Sequence, residues 1–199
     1  MLIKICGITR PVDAMNAVAA GADAIGVNFF HGSPRACSAE QAADIVRVVP
    51  PGFPVYGVFV SAGRARIQEV VRATGVNGIQ LHGGEDREEA LGWDLPVIRA
   101  VNVSSREQAE ALVEDRETYR LLLDSPLGGG SGVRIEEGLL DGLDLGEVLL
   151  AGGLDPGNVG AVVRRLRPGG VDCASGVEIA AGVKDPSLIK EFVVNARST

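Results

Sequence analysis

The sequence predicts an α/β protein, a single compact (β/α)8 barrel (a TIM barrel) over residues 1–199. Three observations predict it. Short, nearly continuous apolar runs alternate with amphipathic helical runs along the whole chain, as strands covered on both faces do. Eight such strand–helix units can be counted, roughly 25 residues each. No linker, low-complexity tract or second domain interrupts them. An open doubly wound sheet would also fit the alternation. Eight consecutive units with nothing left over favour closure, and the chain is at the short end for that fold, so its loops must be tight.

The elements follow in order. LIKIC (2–6) reads as a strand, and PVDAMNAVAAG (11–21) as a helix closed by Gly21. ADAIGVNFF (22–30) is the second strand. SAEQAADIVRVV (38–49) is the second helix, with Ser38 as N-cap and Gln41 as its capping-box partner. PVYGVFV (54–60) and RARIQEVVRATG (64–75) form the third unit, GIQLHG (78–83) and EDREEALG (85–92) the fourth, PVIRAVNV (96–103) and SREQAEALVED (105–115) the fifth. YRLLLDS (119–125) leads to a short helix near IEEGLLDG (135–142). EVLLAGG (147–153) leads to DPGNVGAVVRRL (155–166), and GVDCASG (170–176) to DPSLIKEFVVNAR (185–197).

Composition narrows the function. Hydrophobic residues make up 46% and charged residues 23% of the chain, and the net charge is −7. That balance argues against nucleic-acid binding, which needs excess Lys and Arg, but leaves room for a small anionic ligand at a locally positive site. Cys6, Cys37 and Cys173 are odd in number and widely spaced, so neither a metal site nor a disulfide framework is expected. A reducing, cytoplasmic setting fits. No targeting segment is recognisable at the start, and no stretch has the apolar length of a membrane span.

In such a barrel the site lies at the C-terminal ends of the strands. Reactive residues there are Cys6, Asn28, His82, Asn102, Asp124, the glycines after Ala151, and Asp172. Asp124 follows three leucines. It is either a loop or helix cap or a desolvated carboxyl whose raised pKa helps it hold a proton. Cys6 is either a small core hydrophobe or, with a modest downward shift of its pKa, a base opposite Asp124. Lys4 shares its face by strand alternation and could lower that pKa. Arg35, in HGSPR, is either a surface arginine or a fork for a substrate anion. His82 is either a proton shuttle or a structural histidine bonded to a loop carbonyl. Three glycine-rich stretches, GGGSG (128–132), AGG (151–153) and ASG (174–176), follow strands six, seven and eight. Backbone amides in such loops cradle phosphate.

KICGIT, GADAIGVNF, SPR, GVFV, QLHGGE, LLLD, GGGSG, LLAGGLDPGNV, VDCASGVE and GVKD occur in this order over nearly the whole chain. Together they resemble the phosphoribosylanthranilate isomerases of tryptophan biosynthesis. The resemblance implies an Amadori rearrangement of an aminoaldose phosphosugar to a ketose, with no cofactor and no metal, by a monomer or homodimer. It places the general base at Cys6, the general acid at Asp124 and the carboxylate-holding arginine at Arg35. It places the phosphate on Gly130, Ser131 and Gly132, Gly152 and Gly153, and Ser175 and Gly176. Asp172 becomes a support for sugar or loop, and His82 a substrate neighbour. The chain departs from the family in VRIEEG after the glycine-rich loop, in Ala174 where a hydroxyl is usual, and in Asn28 where an aromatic is common. The sequence also admits two alternatives. One is an isomerase that also accepts the histidine-pathway aminoaldose; the other is a barrel that binds a phosphosugar without catalysis.

Overall fold

The computed structural model describes residues 1–114, 119–126 and 135–198. Eight parallel strands close into a barrel in sequence order: β1 (Leu2–Ile5), β2 (Ala24–Asn28), β3 (Val55–Phe59), β4 (Gly78–Leu81), β5 (Val97–Asn102), β6 (Arg120–Asp124), β7 (Leu149–Leu150) and β8 (Gly170–Cys173). β8 pairs back onto β1, with Lys4 opposite Asp172 and Ile5 opposite Cys173. Among the described residues, the helices are α1 (Pro11–Ala20), α2 (Ala39–Val48), α3 (Arg64–Thr74), α4 (Arg106–Glu114), α5 (Val159–Leu166) and α6 (Pro186–Arg197). None of them is long and apolar enough to cross a membrane.

Local chemistry sets the helix ends. Ser38 caps α2 in a capping box with Gln41, Gly21 ends α1 at φ 90°, and Asp185 caps α6 ahead of Pro186. Two expected helices are instead single 3-10 turns, Glu88–Ala90 and Glu137–Leu140. In the first, Asp86 and Glu89 cap one another reciprocally at 2.9 Å, and Gly92 turns the chain at φ 69°. That leaves too few residues to propagate past the helix nucleus. Trp93 and Leu95 help cover the outer face of β4 and β5 in place of a helix. Beyond β8, residues 177–184 carry no strand or helix signal in the sequence. They form an antiparallel hairpin, β9 (Glu178–Ala180) with β10 (Val183–Lys184).

Strand alternation sorts the side chains. Ile3, Ile5, Val171 and Cys173 belong to the layer between sheet and helices, whereas Tyr56, Ile98, Ala100, Leu122 and Leu149 fill the barrel interior. The inward series then run Leu2–Lys4–Cys6, Ala24–Gly26–Asn28, Gly78–Gln80–His82, Ile98–Ala100–Asn102, Leu122–Asp124 and Gly170–Asp172–Ala174. Each begins apolar or small at the floor, and most turn polar toward the C-terminal mouth.

Candidate active site

The mouth holds a cavity of about 360 Å³. Cys6, Arg35, His82, Asp124, Asp172, Gly152, Gly153 and Ser175 all line it, together with Asn28, Gln80 and Asn102. Cys6 and Asp124 come from strands three places apart around the eight-strand ring. Gly130, Ser131 and Gly132 lie outside the described residues. Gly176 does not line the cavity; its bare Cα sits against the Leu154 carbonyl, where a Cβ could not fit. Its work is the close packing of the loop after β8 on the loop after β7.

On the β8–β1–β2 side the charges are paired. Lys4 is fully buried, and its Nζ donates to Asp172 Oδ1 at 2.9 Å. Burial alone would push Lys4 down, but Asp172, with a smaller pull from Cys6, more than offsets it and holds the ammonium charged. Gly26 makes room for the group: a Cβ there would lie 2.8 Å from Cys6 Sγ and 3.0 Å from Lys4 Nζ. Burial pushes the Cys6 thiol above its ordinary value of 9.0. The Lys4 ammonium opposes that rise and the Asp172 carboxylate adds to it. The downward shift expected from the sequence is therefore corrected, because desolvation outweighs the lysine. Cys37 and Cys173 stand apart chemically. Their sulfurs donate to the carbonyls of Ile8 and Leu154, and burial pushes both thiols up, Cys37 to about 11.

Arg35 is not a surface residue. Its stem lies on the bare backbone of Gly7, where φ is 71° and a Cβ would come within 2.6 Å of Arg35 Cδ. Its Nε and Nη2 donate to the two oxygens of Glu178 at 2.9 and 2.8 Å. That fork raises Arg35. Burial would raise Glu178, but the bonds from Arg35 and Lys184 outweigh it and lower the carboxyl.

The opposite wall differs. Asp124 is 1% exposed, and its Oδ1 accepts the Ser125 amide at 2.7 Å. Gly152, at φ 82°, presses close: a Cβ there would stand 2.9 Å from Asp124 Oδ1. His82 points into the cavity, with Nε2 3.3 Å from Asp124 Oδ2 and Nδ1 3.4 Å from Gln80 Nε2. Of the two readings open for His82, the structural one places the ring on a loop carbonyl; its neighbours are instead Asp124 and Gln80. Gln80 is 1% exposed, and neither its Oε1 nor His82 Nε2 has an aligned hydrogen-bond partner among the described residues. Asn28 turns its Oδ1 onto the Phe30 amide at 2.8 Å and shapes the loop after β2.

Gly152 and Gly153 both take positive φ, 82° and 62°, and Asn158 Nδ2 holds the Gly153 carbonyl at 2.9 Å. Such a turn arrays successive amides into a concave anion seat. Sequence reasoning missed Gln80, Glu178 and Lys184. An inward polar residue one position short of a strand's mouth is the signal that could have found Gln80; no local signal exists for the other two.

Comparison with known proteins gives a consistent result. The family model described as N-(5'-phosphoribosyl)anthranilate (PRA) isomerase matches residues 3–195. The chain is 45% identical over 203 residues to N-(5'-phosphoribosyl)anthranilate isomerase of Myxococcus xanthus strain DK1622, spanning 98% of this chain and 96% of that protein. It also resembles a solved phosphoribosyl anthranilate isomerase in complex with reduced 1-(o-carboxyphenylamino)-1-deoxyribulose 5-phosphate. The two share 36% identity with a TM-score of 0.85 over all of both chains. A crystal structure of monomers generated from the dimeric isomerase of Thermotoga maritima matches at 34% identity and a TM-score of 0.87, again over all of both chains.

Proposed function

The chain belongs to the N-(5'-phosphoribosyl)anthranilate isomerase family, and from that membership we propose how its residues divide the work. The reaction converts N-(5'-phosphoribosyl)anthranilate to 1-(2-carboxyphenylamino)-1-deoxyribulose 5-phosphate in tryptophan biosynthesis. In our reading Asp124, protonated, gives its proton to the furanose ring oxygen, and the ring opens to an imine. Cys6, as thiolate, takes the proton from the second sugar carbon. The enolamine that forms picks up a proton at C1 and loses one from the C2 hydroxyl, leaving the ketone. Hydrogen moves between two carbons of one molecule, so oxidation balances reduction internally.

The observation that supports this reading best is the shared cavity of Cys6 and Asp124. The fixed ammonium of Lys4 beside the thiol favours the thiolate against the burial that opposes it. The Ser125 amide, donating to Oδ1 at 2.7 Å, fixes the orientation of the Asp124 carboxyl. Arg35 receives the ring carboxylate with the N–H groups that Glu178 leaves free. The phosphate sits on the amides of Gly152, Gly153 and Ser175. Asp172 holds Lys4 in place, and His82 and Gln80 face the sugar. The enzyme works as one barrel domain over residues 1–199, in the cytoplasm, as a monomer or homodimer.

A fluorescence assay with freshly made phosphoribosylanthranilate tests this. Turnover is expected, and Cys6→Ser and Asp124→Asn should each lower kcat by at least about a hundredfold, the scale of a general acid or base. Near-normal kcat in either variant removes that residue's role. Turnover of the histidine-pathway aminoaldose alone would overturn the substrate.

A further inference from the structure

Lys184 lies outside the cavity lining, yet it is bound to the clamp. Its side chain is fully buried, and Nζ donates to Glu178 Oε1 at 2.7 Å and to the Ala174 carbonyl at 2.9 Å. Glu178 is 5% exposed, and its two oxygens are already forked by Arg35. The Gly182 amide adds a longer bond to Oε1 at 3.3 Å. The hairpin β9–β10 thereby joins three loops: Glu178 holds Arg35 in the loop after β2, Lys184 holds Ala174 in the loop after β8, and Thr9 in the loop after β1 donates to the Gly182 carbonyl.

The charges can be counted. Nearby, Lys4 cancels Asp172, and Arg10 forks onto Asp13 at 2.9 and 2.6 Å. Asp13 also accepts the backbone amide of Lys184 at 3.3 Å. What remains is Arg35 and Lys184 against Glu178, a net charge of one positive unit. Without Lys184, Arg35 and Glu178 would be a neutral pair. An incoming carboxylate would then meet a carboxylate already seated on the same guanidinium, in surroundings where water screens little.

We propose that Lys184 is a specificity-determining residue that acts through Glu178: it keeps the Arg35 clamp positive and so makes the site prefer a substrate bearing a ring carboxylate. Glu178 is the positioning residue between them. It takes two of the five guanidinium N–H donors and directs the rest at the ligand. This rests on Arg35 as the carboxylate holder.

The test uses two probes: reduced 1-(o-carboxyphenylamino)-1-deoxyribulose 5-phosphate, and the same molecule without its carboxyl group. The ratio of their dissociation constants measures the preference. The ratio should follow the net charge of the clamp. Lys184→Met, with none, should lower the preference by about tenfold, the scale of a charge-assisted contact. Glu178→Gln, with two positive charges, should raise it. The double variant Lys184→Met/Glu178→Gln, with one again, should return close to the wild-type ratio. That rescue is not expected of a merely structural lysine, whose loss would weaken both probes alike. Should Lys184→Met fail to fold, the order of Glu178→Gln above wild type and double variant still decides the question. Arg35→Ala separates the role of Arg35 from that of Lys184. If it leaves the ratio intact, the carboxylate reading of Arg35 is wrong. If it abolishes the ratio while the ratio ignores charge at 178 and 184, the present inference alone is wrong.

Discussion

The two walls of the cavity are in opposite condition. On the β8–β1–β2 side every charged group already has its partner: Lys4 with Asp172, and Arg35 and Lys184 with Glu178. On the β4–β6 side Gln80 Oε1 and His82 Nε2 have no aligned partner among the described residues. A satisfied network fixes geometry before a ligand arrives, and an unsatisfied one awaits the ligand's own donors. The first wall therefore serves the protein as well as the ligand. The second costs the free protein something that binding returns.

The largest expected effect breaks the first wall. Asp172→Asn leaves the Lys4 ammonium buried without its counter-charge, and loss of one partner from such a pair costs about 3–5 kcal/mol. Urea unfolding measures it; a loss below about 1 kcal/mol would mean that the pair contributes little to the fold. A smaller effect of opposite character comes from the second wall. Gln80→Leu removes an acceptor that the free protein leaves unpaired, so the urea midpoint should hold or rise. The price is function: kcat/KM should fall by about tenfold, as for one lost hydrogen bond to a buried polar group. Lower stability with undisturbed turnover would reverse the contrast between the walls.

The same contrast explains what the sequence could say. Cys6, Asp124 and Asp172 were legible because each is a reactive group at the end of an apolar strand, and alternation turns all three inward. Arg35 was legible as a candidate, but its partner Glu178 stands 143 residues away, and no local pattern records a pairing of that range. The hairpin carrying Glu178 and Lys184 spans only residues 178–184, too short a run to show strand periodicity. Gln80 could be placed on the inward face, whereas its missing partner is a property of the packed barrel. The helix expected at EDREEALG has helical composition, but Gly92 turns the chain before it can propagate. The upward shift of Cys6 is hidden for a related reason: the lysine is visible two residues away in the sequence, while the extent of burial is not.

Catalysis depends most on Cys6 acting as base in partnership with Asp124, and the pH dependence of Asp124→Asn tests that directly. With the acid removed, only the thiolate fraction limits the residual rate. Because burial pushes the Cys6 thiol upward, log kcat/KM of this variant should rise with unit slope from about neutral pH into the alkaline range. Adding Cys6→Ser should erase the rise. A profile flat across that range, or one that keeps its slope without the sulfur, would contradict the assignment.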